Sequence, residues 1–195
     1  MRKRTESDGY RWITSYGGHK PSIDQSAFVD VSARIIGRVT VEAYASIWPM
    51  AVLRADSAAI RVGRSSAVLD LALLEAPSGH PVILDEEVLV SHGAIIHGAQ
   101  LHSRVLVGIG AIVLDGAVIS EGSIIGAGSL VPPGMMVPPN TLLLGSPARV
   151  MRETTSEERD SIALQLQELL EKSKHLRSQV SGSSAKIRKQ PQSHF

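Results

Sequence analysis

Aliphatic residues recur at every sixth position along most of this 195-residue chain. Each step of six from Leu101 meets another aliphatic side chain as far as Val137. Four such blocks, separated by register slips around 55–60, at 76–81 and between 96 and 101, fill eighteen of eighteen expected positions. These positions are Val29, Ile35, Val41, Ile47 and Leu53; Val62, Val68 and Leu74; Leu84, Val90 and Ile96; Leu101, Val107, Val113, Ile119, Ile125, Val131 and Val137.

A period of six fits neither an amphipathic helix nor simple strand alternation. It predicts an all-β fold, a parallel β-helix in which each of three flat sides points one aliphatic residue to the axis. Eighteen hexads give about six coils, and about 4.8 Å per stacked strand makes the prism roughly 29 Å long. Further aliphatics outside the axial positions, such as Ile95, predict a face that packs against another copy in a closed oligomer.

The repeat also divides the chain. Residues 1–27 are expected to lead in and cap the first coil, and residues 28–140 form the β-helix. An exit segment and a C-terminal α-helix follow over 141–180, because Thr155 and Glu158 have the spacing of a capping box and an aliphatic stripe comes after them. The stripe consists of Ile162, Leu166, Leu169, Leu170 and Leu176. Residues 181–195 are polar and mildly basic, which favours a disordered tail over a nucleic-acid-binding arm.

Charge and composition exclude several classes of protein. The chain has 20 basic and 19 acidic residues, a net charge of +1 and no cysteine, so there is neither a strong field for nucleic acid nor a disulfide framework. No apolar run is long enough to span a bilayer, and no apolar stretch follows the basic N-terminal residues as it would in a secretory signal. We expect a cytoplasmic protein without nucleic-acid partners or membrane insertion.

Two histidines, His92 and His97, stand out as candidates for chemistry, because they lie close together on a rigid β-scaffold. Two imidazoles are too few for a catalytic zinc site, which has three protein ligands, and the residue types alone favour surface or interface histidines. Arg54 and Asp56 end an aliphatic run. They either neutralise a site or, as we favour, form an ion pair across a subunit interface.

Several motifs together resemble the γ-class carbonic anhydrases over about residues 20–160. They are Ile36-Gly37, Ser46-Ile47-Trp48, Arg54-x-Asp56, Ile60-Arg61-Val62-Gly63, His92-Gly-Ala-Ile-Ile-His97-Gly, Gly110-Ala-Ile-Val-Leu-Asp115, Gly126-Ala-Gly-Ser-Leu-Val and Gly145-Ser-Pro-Ala-Arg-Val-Met-Arg-Glu153. Hexapeptide acyltransferases share that last ending.

The resemblance implies a left-handed prism, a homotrimer and a metal at each subunit boundary, where carbon dioxide is hydrated to bicarbonate. Three histidines hold this metal in the family, two from one chain and one from its neighbour. His97 falls on a same-chain ligand and His92 on the ligand from across the interface. Arg54 and Asp56 fall on a pair associated with trimer contacts.

The chain departs from the family pattern at three polar positions. Asp70 is kept, but Ala67, Leu69 and Glu75 stand where the family has asparagine, glutamine and the first ligand histidine. The expected ligands are therefore Glu75, His92 and His97, a set that suits zinc, iron or cobalt, or holds no metal. A carboxylate ligand makes bound water less acidic, and Leu69 cannot orient it. His80, in the loop after Glu75, is a candidate replacement ligand.

Three functions follow as hypotheses. The first is a γ-carbonic anhydrase-like homotrimer with an altered metal site and weak or absent hydration of carbon dioxide. The second is a non-catalytic scaffold or assembly subunit, favoured by the joint change at Ala67, Leu69 and Glu75. The third and least favoured is acyl transfer from coenzyme A, with His97 or His102 as the base.

Overall fold

Seven stacked turns of parallel β-structure and one long helix make up the part of the chain that the computed structural model describes, which is residues 12–187, with side chains to residue 178. The architecture is that of a left-handed parallel β-helix followed by a C-terminal α-helix, as predicted. The seventh turn, beyond the predicted six, comes from strands at the two ends of the prism. Ile13, Ile23 and Leu143 occupy their inward positions and pair with Ile35, Val41 and Ile125.

The strands fall on three sides, named here in the order in which the chain first meets them. The first side contains β1 (Ile13–Thr14), β8 (Leu73–Glu75), β11 (Ile95–His97), β14 (Ile112–Val113) and β17 (Leu130–Val131); the second contains β2 (Ser22–Ile23), β9 (Val82–Leu84), β12 (Gln100–Leu101), β15 (Val118–Ile119) and β18 (Met136–Val137). Two long strands, β4 (Arg34–Val41) and β6 (Val52–Val62), run across the corner and join these sides into one sheet.

The third side forms a second sheet. It contains β3 (Phe28–Val29), β5 (Ser46–Ile47), β7 (Ala67–Val68), β10 (Leu89–Val90), β13 (Leu106–Val107), β16 (Ile124–Ile125) and β19 (Thr141–Gly145), and it ends with β20 (Ala148–Glu153). Strand β20 pairs antiparallel with β19 and turns the chain back toward the prism.

The core of the prism is the set of hexad positions found in the sequence. Seventeen of the eighteen are at most 2% exposed, and Val29, in the first complete coil, is partly buried against the same core. They stack in columns because parallel strands pair them in register; Leu53, for example, pairs with Leu74, and Leu74 with Ile96. Each coil therefore buries its aliphatics against the coils above and below it.

All three register slips fall at one corner, between the first and second sides. Leu53 and Leu74 stack although they lie 21 residues apart, and Leu74 and Ile96 stack at a separation of 22. Lower in the prism, Val113 and Val131 stack at the regular spacing of 18. The first two slips insert residues at this corner, and the third shortens its coil by one residue, so that Ile96 stacks with Val113 at a separation of 17. The axial columns stay in register, and the corner contains most of the candidate site.

The C-terminal helix, α1 (Ser156–Ile187), covers the third side. Its predicted capping box is present: Thr155 Oγ1 accepts from the N–H of Glu158 at 3.2 Å, and the N–H of Thr155 donates to Glu158 Oε2 at 2.9 Å. Ile162 and Leu166 are buried against the outward residues of the sheet, and Arg177 Nη1 donates to the carbonyl of Gln25 at 2.5 Å near the opposite end of the prism.

Two predicted segments, the C-terminal tail and the N-terminal lead-in, differ from the structure. The helix continues through Ile187, past the predicted boundary at 180, and the rest of the predicted tail lies outside the described residues. In the predicted lead-in, Ile13–Thr14 and Ser22–Ile23 are strands of the first turn, and residues 1–11 lie outside the described part. Between residues 12 and 187, no helix has the length and apolar character that crossing a membrane requires.

Candidate functional site

Arg54, Glu75 and His97 lie side by side at the corner between the first and second sides, called here the His97 corner. Each directly follows an inward aliphatic residue, and the parallel register pairs Arg54 with Glu75 and Glu75 with His97. Stacked neighbours in a sheet are about 4.8 Å apart, so the three side chains interact as a ladder on adjacent strands.

The contacts along this ladder are ionic. Arg54 Nη2 contacts Oε1 of Glu75, and its Nε lies 3.8 Å from Oδ2 of Asp56. The same Oε1 of Glu75 lies 3.9 Å from Nε2 of His97. On the far side of the ring, Nδ1 of His97 contacts Oδ1 of Asp115. The side chains are only partly buried, with exposures between 23% for Glu75 and 43% for Arg54, so the corner is open to a ligand or to a second chain.

Sequence reasoning missed two of these relationships. Asp115 enters the sequence analysis only as part of a motif, and a regular coil does not predict its contact with His97. Ile96 stacks with Val113, 17 residues later, so Asp115 lies one residue beyond the position in register with His97. Arg54 was expected to pair with Asp56 across a subunit interface. Its contact with Glu75, the stacked neighbour in the same chain, was not expected, and the ion pair across a subunit interface stays a prediction.

His92 lies at a different corner, between the third and first sides, called here the His92 corner. Its Nδ1 is 3.0 Å from Oδ2 of Asp70, the acidic residue kept in the family pattern. The strand Ile95–His97 separates His92 from His97 along the first side. The two rings of one chain stand at opposite edges of this side, and no group of three potential metal ligands among the described residues joins them.

No single chain assembles the expected three ligands. Within residues 12–187, no group of three or more His, Cys, Asp or Glu side chains is placed to hold a metal ion. Glu75 and His97 are adjacent, whereas His92 stands at the other edge of the first side. A third donor at the His97 corner would have to come from another molecule.

His80 lies at the His97 corner without joining the Glu75–His97 pair. Its side chain packs over the backbone of Gly98 and Gly116. A Cβ on Gly98 would stand 2.6 Å from the Cβ of His80, and its φ of +62° also favours glycine there. His80 thus packs against two glycines, and its role as a replacement ligand stays a prediction.

Ala67 and Leu69 belong to an apolar cluster rather than to an open polar site. They are 1% and 2% exposed, and they share this cluster with Leu89 and with Ile162 and Leu166 of the C-terminal helix. Two positions that are polar in the family pattern are therefore used here to pack the helix. Such packing excludes the water that polar side chains would have held in place.

His102, the other candidate base, is at neither of these two corners. It follows Leu101 on the second side, and its Nδ1 lies 2.8 Å from Oδ2 of Asp85. Arg61 joins this group through Asp85 at 3.5 Å and through Glu42 at 2.6 Å. His92, His97 and His102 share one arrangement, in which a carboxylate on an adjacent coil lies next to Nδ1.

Comparison with known proteins shows the family and the fold. The chain is 47% identical over 140 residues to a Methanocaldococcus jannaschii protein named "Probable carbonic anhydrase", covering 72% of this chain and 88% of that protein. It is 32% identical over 161 residues to the mitochondrial gamma carbonic anhydrase 1 of Arabidopsis thaliana, covering 80% of this chain and 58% of that one. The structure of a hexapeptide transferase family protein from Anaplasma phagocytophilum superposes with a TM-score of 0.80 at 34% identity, covering 84% of this chain and 96% of that one.

The chain belongs to the γ-class carbonic anhydrase-like family of hexapeptide-repeat β-helices. No protein-family model matches the sequence. The prism core expected of this family is complete among the described residues, and the change at the first ligand position stays a prediction.

The residues of one chain fit part of a γ-class metal site. Nδ1 of His97 contacts the carboxylate of Asp115, and Nε2 lies on the side of Glu75; a carboxylate on the second ring nitrogen is usual for histidines that bind metals. Glu75 offers a carboxylate next to it, but the oxygen nearest His97 is already in contact with Arg54. No buried side-chain nitrogen or oxygen among residues 12–178 lacks a hydrogen-bond partner. The interior of this part of the chain therefore contains no unpaired polar atom that would indicate a buried metal site. Any metal would lie at the surface corner.

Proposed function

We propose that three copies of the chain close into a homotrimer, in which each seam brings Glu75 and His97 of one copy to His92 of the next. This site would hold a divalent metal such as zinc, iron or cobalt, and its hydration of carbon dioxide would be weak or absent. The observation that carries the proposal is the first side of the prism, an aliphatic face with the two histidine corners at its edges.

The three sides differ in their outward residues. The third side is covered by the chain's own helix. The second side has polar or mixed outward residues at successive turns: Thr40, Arg61, Ile83, Gln100, Val118 and Met136. The outward column of the first side begins with Arg34 and is aliphatic at every later turn: Val52, Leu73, Ile95, Ile112 and Leu130. An apolar face of this kind is the expected contact surface of an oligomer.

The two edges of the first side provide different ligands of the proposed site. The His97 corner has Glu75 and His97, and the His92 corner has the third histidine. In a cyclic trimer, contacts join different patches of successive copies, so one edge of a copy would meet the other edge of its neighbour. Met50, Leu71 and Ile109, each about 60% exposed in one chain, also lie at the His92 corner and would be buried in such a contact.

A divalent metal at this seam would acidify a water molecule, which is how metal ions promote hydration reactions near neutral pH. The protein residues work against that chemistry in two ways. The negative charge of Glu75 opposes the loss of a proton nearby. Leu69 and Ala67, buried under the helix, provide no hydrogen bond to orient a water or a bicarbonate. We therefore expect a rate far below that of a three-histidine site.

The test combines three measurements on one preparation purified without oxygen. Light scattering gives the oligomeric mass, elemental analysis gives the metal content, and stopped-flow spectroscopy gives the hydration rate. The proposal expects a trimer that binds up to one metal per chain, with slow or undetectable hydration. A monomer would overturn the seam, and a trimer as fast as an unaltered γ-class enzyme would overturn the effect assigned to Glu75 and Leu69.

A second candidate is a non-catalytic assembly subunit, favoured by the burial of Ala67 and Leu69 in the helix-packing cluster. At these two positions apolar side chains pack against the helix where the family pattern has polar ones, while the prism core is complete. This function expects a metal-free trimer that co-purifies with another protein in stoichiometric amounts. If only self-association is found, and metal is present, this candidate is excluded.

A further inference from the structure

One oxygen atom, Oε1 of Glu75, has two neighbours at the His97 corner. Arg54 Nη2 is in direct contact with it, and His97 Nε2 lies 3.9 Å from it. A metal shared by Glu75 and His97 would approach this same oxygen, because it is the carboxylate atom nearest the histidine. The guanidinium therefore occupies the place on Glu75 that a metal would need.

We infer that Arg54 is a tethered cation that competes with divalent metal for Glu75. The inference rests on the proposed seam site and adds to it the residue that sets its metal affinity. Arg54 is always charged, so it satisfies the carboxylate whenever no metal is bound. Metal binding requires the Arg54–Glu75 contact to break, which lowers the apparent affinity.

The surroundings of Arg54 allow such an exchange. Its side chain is 43% exposed, and Oδ2 of Asp56 lies 3.8 Å from Nε. A guanidinium released from Glu75 therefore has a second carboxylate and solvent available, and it need not be expelled into an apolar region. Asp115 acts on the other end of the ladder, where it orients His97 and leaves the competition at Glu75 unchanged.

The competition follows from the residue types at two stacked positions. A histidine in place of Glu75 would have no anionic oxygen to attract Arg54, and the arginine would remain with Asp56. With glutamate at position 75, the parallel register between Val52–Val62 and Leu73–Glu75 brings a cation and an anion side by side. Glutamate instead of histidine at position 75 therefore also makes Arg54 a competitor of the metal.

The test is a cycle of variants titrated with Co²⁺ and with Zn²⁺ by calorimetry, with the visible absorption of Co²⁺ as an independent readout. Arg54→Gln should raise metal affinity by about tenfold, the size of a coupled contact pair. In a Glu75→Gln background, the same Arg54→Gln change should have less than about a threefold effect, because the carboxylate being contested is gone. Arg152→Gln, which breaks the Arg152–Glu158 pair on β20 and α1, is the matched control and should change affinity in neither background.

The outcomes separate this inference from the function on which it rests. A wild-type protein that is monomeric by light scattering removes the seam itself. If the trimer forms and Arg54→Gln gains nothing, or gains equally with and without Glu75, the competition is wrong while the seam stands. Circular dichroism of each variant shows that the prism is folded before the titration is interpreted.

Discussion

Nδ1 of His97 faces the carboxylate of Asp115, which lies one coil along the prism and eighteen residues later in the chain. A carboxylate can only accept, so Nδ1 of the neutral ring is the protonated nitrogen. The unprotonated Nε2 then points toward Glu75, where a metal would be bound. Asp115 thus fixes the tautomer and the ring orientation of His97, the proposed ligand.

Removing the charge of Asp115 should weaken metal binding without unfolding the prism. Asp115→Asn keeps the volume of the side chain but loses the anion that orients His97, and we expect metal affinity to fall about 10- to 100-fold. Calorimetric titration with Co²⁺ measures this change. Asp85→Asn is the control, since it makes the same substitution beside His102. Equal affinities for wild type and Asp115→Asn would show that this carboxylate plays no part in the site.

Sequence reasoning found the axis of the prism because the signal there is repeated. Seventeen buried positions share one requirement, an aliphatic side chain pointing inward, so each confirms the others. The contact between Arg54 and Glu75 has no such redundancy. It depends on the irregular separation of 21 residues between stacked partners, and a regular coil of 18 would place Ala72 beside Arg54 instead.

The burial of Leu69 was beyond sequence reasoning for a different reason. In the sequence it stands as a lost polar residue, because its packing partners Ile162 and Leu166 come almost a hundred residues later. Only the return of the helix along the third side shows that the leucine has gained a structural role. The hexad positions, in contrast, contact residues about one coil away.

Restoring the polar residue at position 69 should therefore destabilise the protein. Leu69→Gln places an amide in an apolar cluster and is expected to lower the free energy of unfolding by about 1–3 kcal/mol. The backbone amides of the helix should also exchange their hydrogens faster. Chemical denaturation and hydrogen exchange measure the two effects. Leu164→Gln, on an exposed part of the same helix, should change stability by less than about 0.5 kcal/mol. A neutral Leu69→Gln protein would mean that the cluster does not anchor the helix.

The start of the helix should respond to acid through Glu158. Arg152 and the N–H of Thr155 lower the pKa of the Glu158 carboxyl to about 2, from an ordinary value of 4.5. A lowered pKa means that the ionised form is favoured in the folded state. Its contribution is complete above about pH 4.5 and is lost as the pH falls toward 2.

Glu158→Gln should remove this acid-dependent part. The variant is expected to be less stable than wild type above pH 4.5 and to lose less stability between pH 4.5 and 2. Denaturation curves monitored by helical circular dichroism across pH 2–7 give the comparison. Glu168→Gln changes an exposed glutamate in the middle of the same helix and serves as the control. Parallel pH curves for wild type and Glu158→Gln would refute the role of this cap.

The aliphatic column of the first side makes the sharpest prediction about assembly. Ile95 and Ile83 are both partly exposed isoleucines at outward positions of adjacent sides. Ile95 pairs in register with Leu73 and Ile112, whereas Ile83 pairs with Arg61 and Gln100. A glutamate at position 95 would be forced into an apolar contact three times per trimer, while a glutamate at position 83 would remain beside polar neighbours.

Ile95→Glu is therefore expected to give a folded monomer of about 20.8 kDa, and Ile83→Glu to keep three times that mass. Light scattering after size exclusion reads the difference directly, and circular dichroism confirms that both prisms are folded. The monomer should also lose metal, because His92 of one copy no longer meets Glu75 and His97 of another. If Ile83→Glu dissociates the protein and Ile95→Glu does not, the contact lies on the second side and the two histidine corners do not meet.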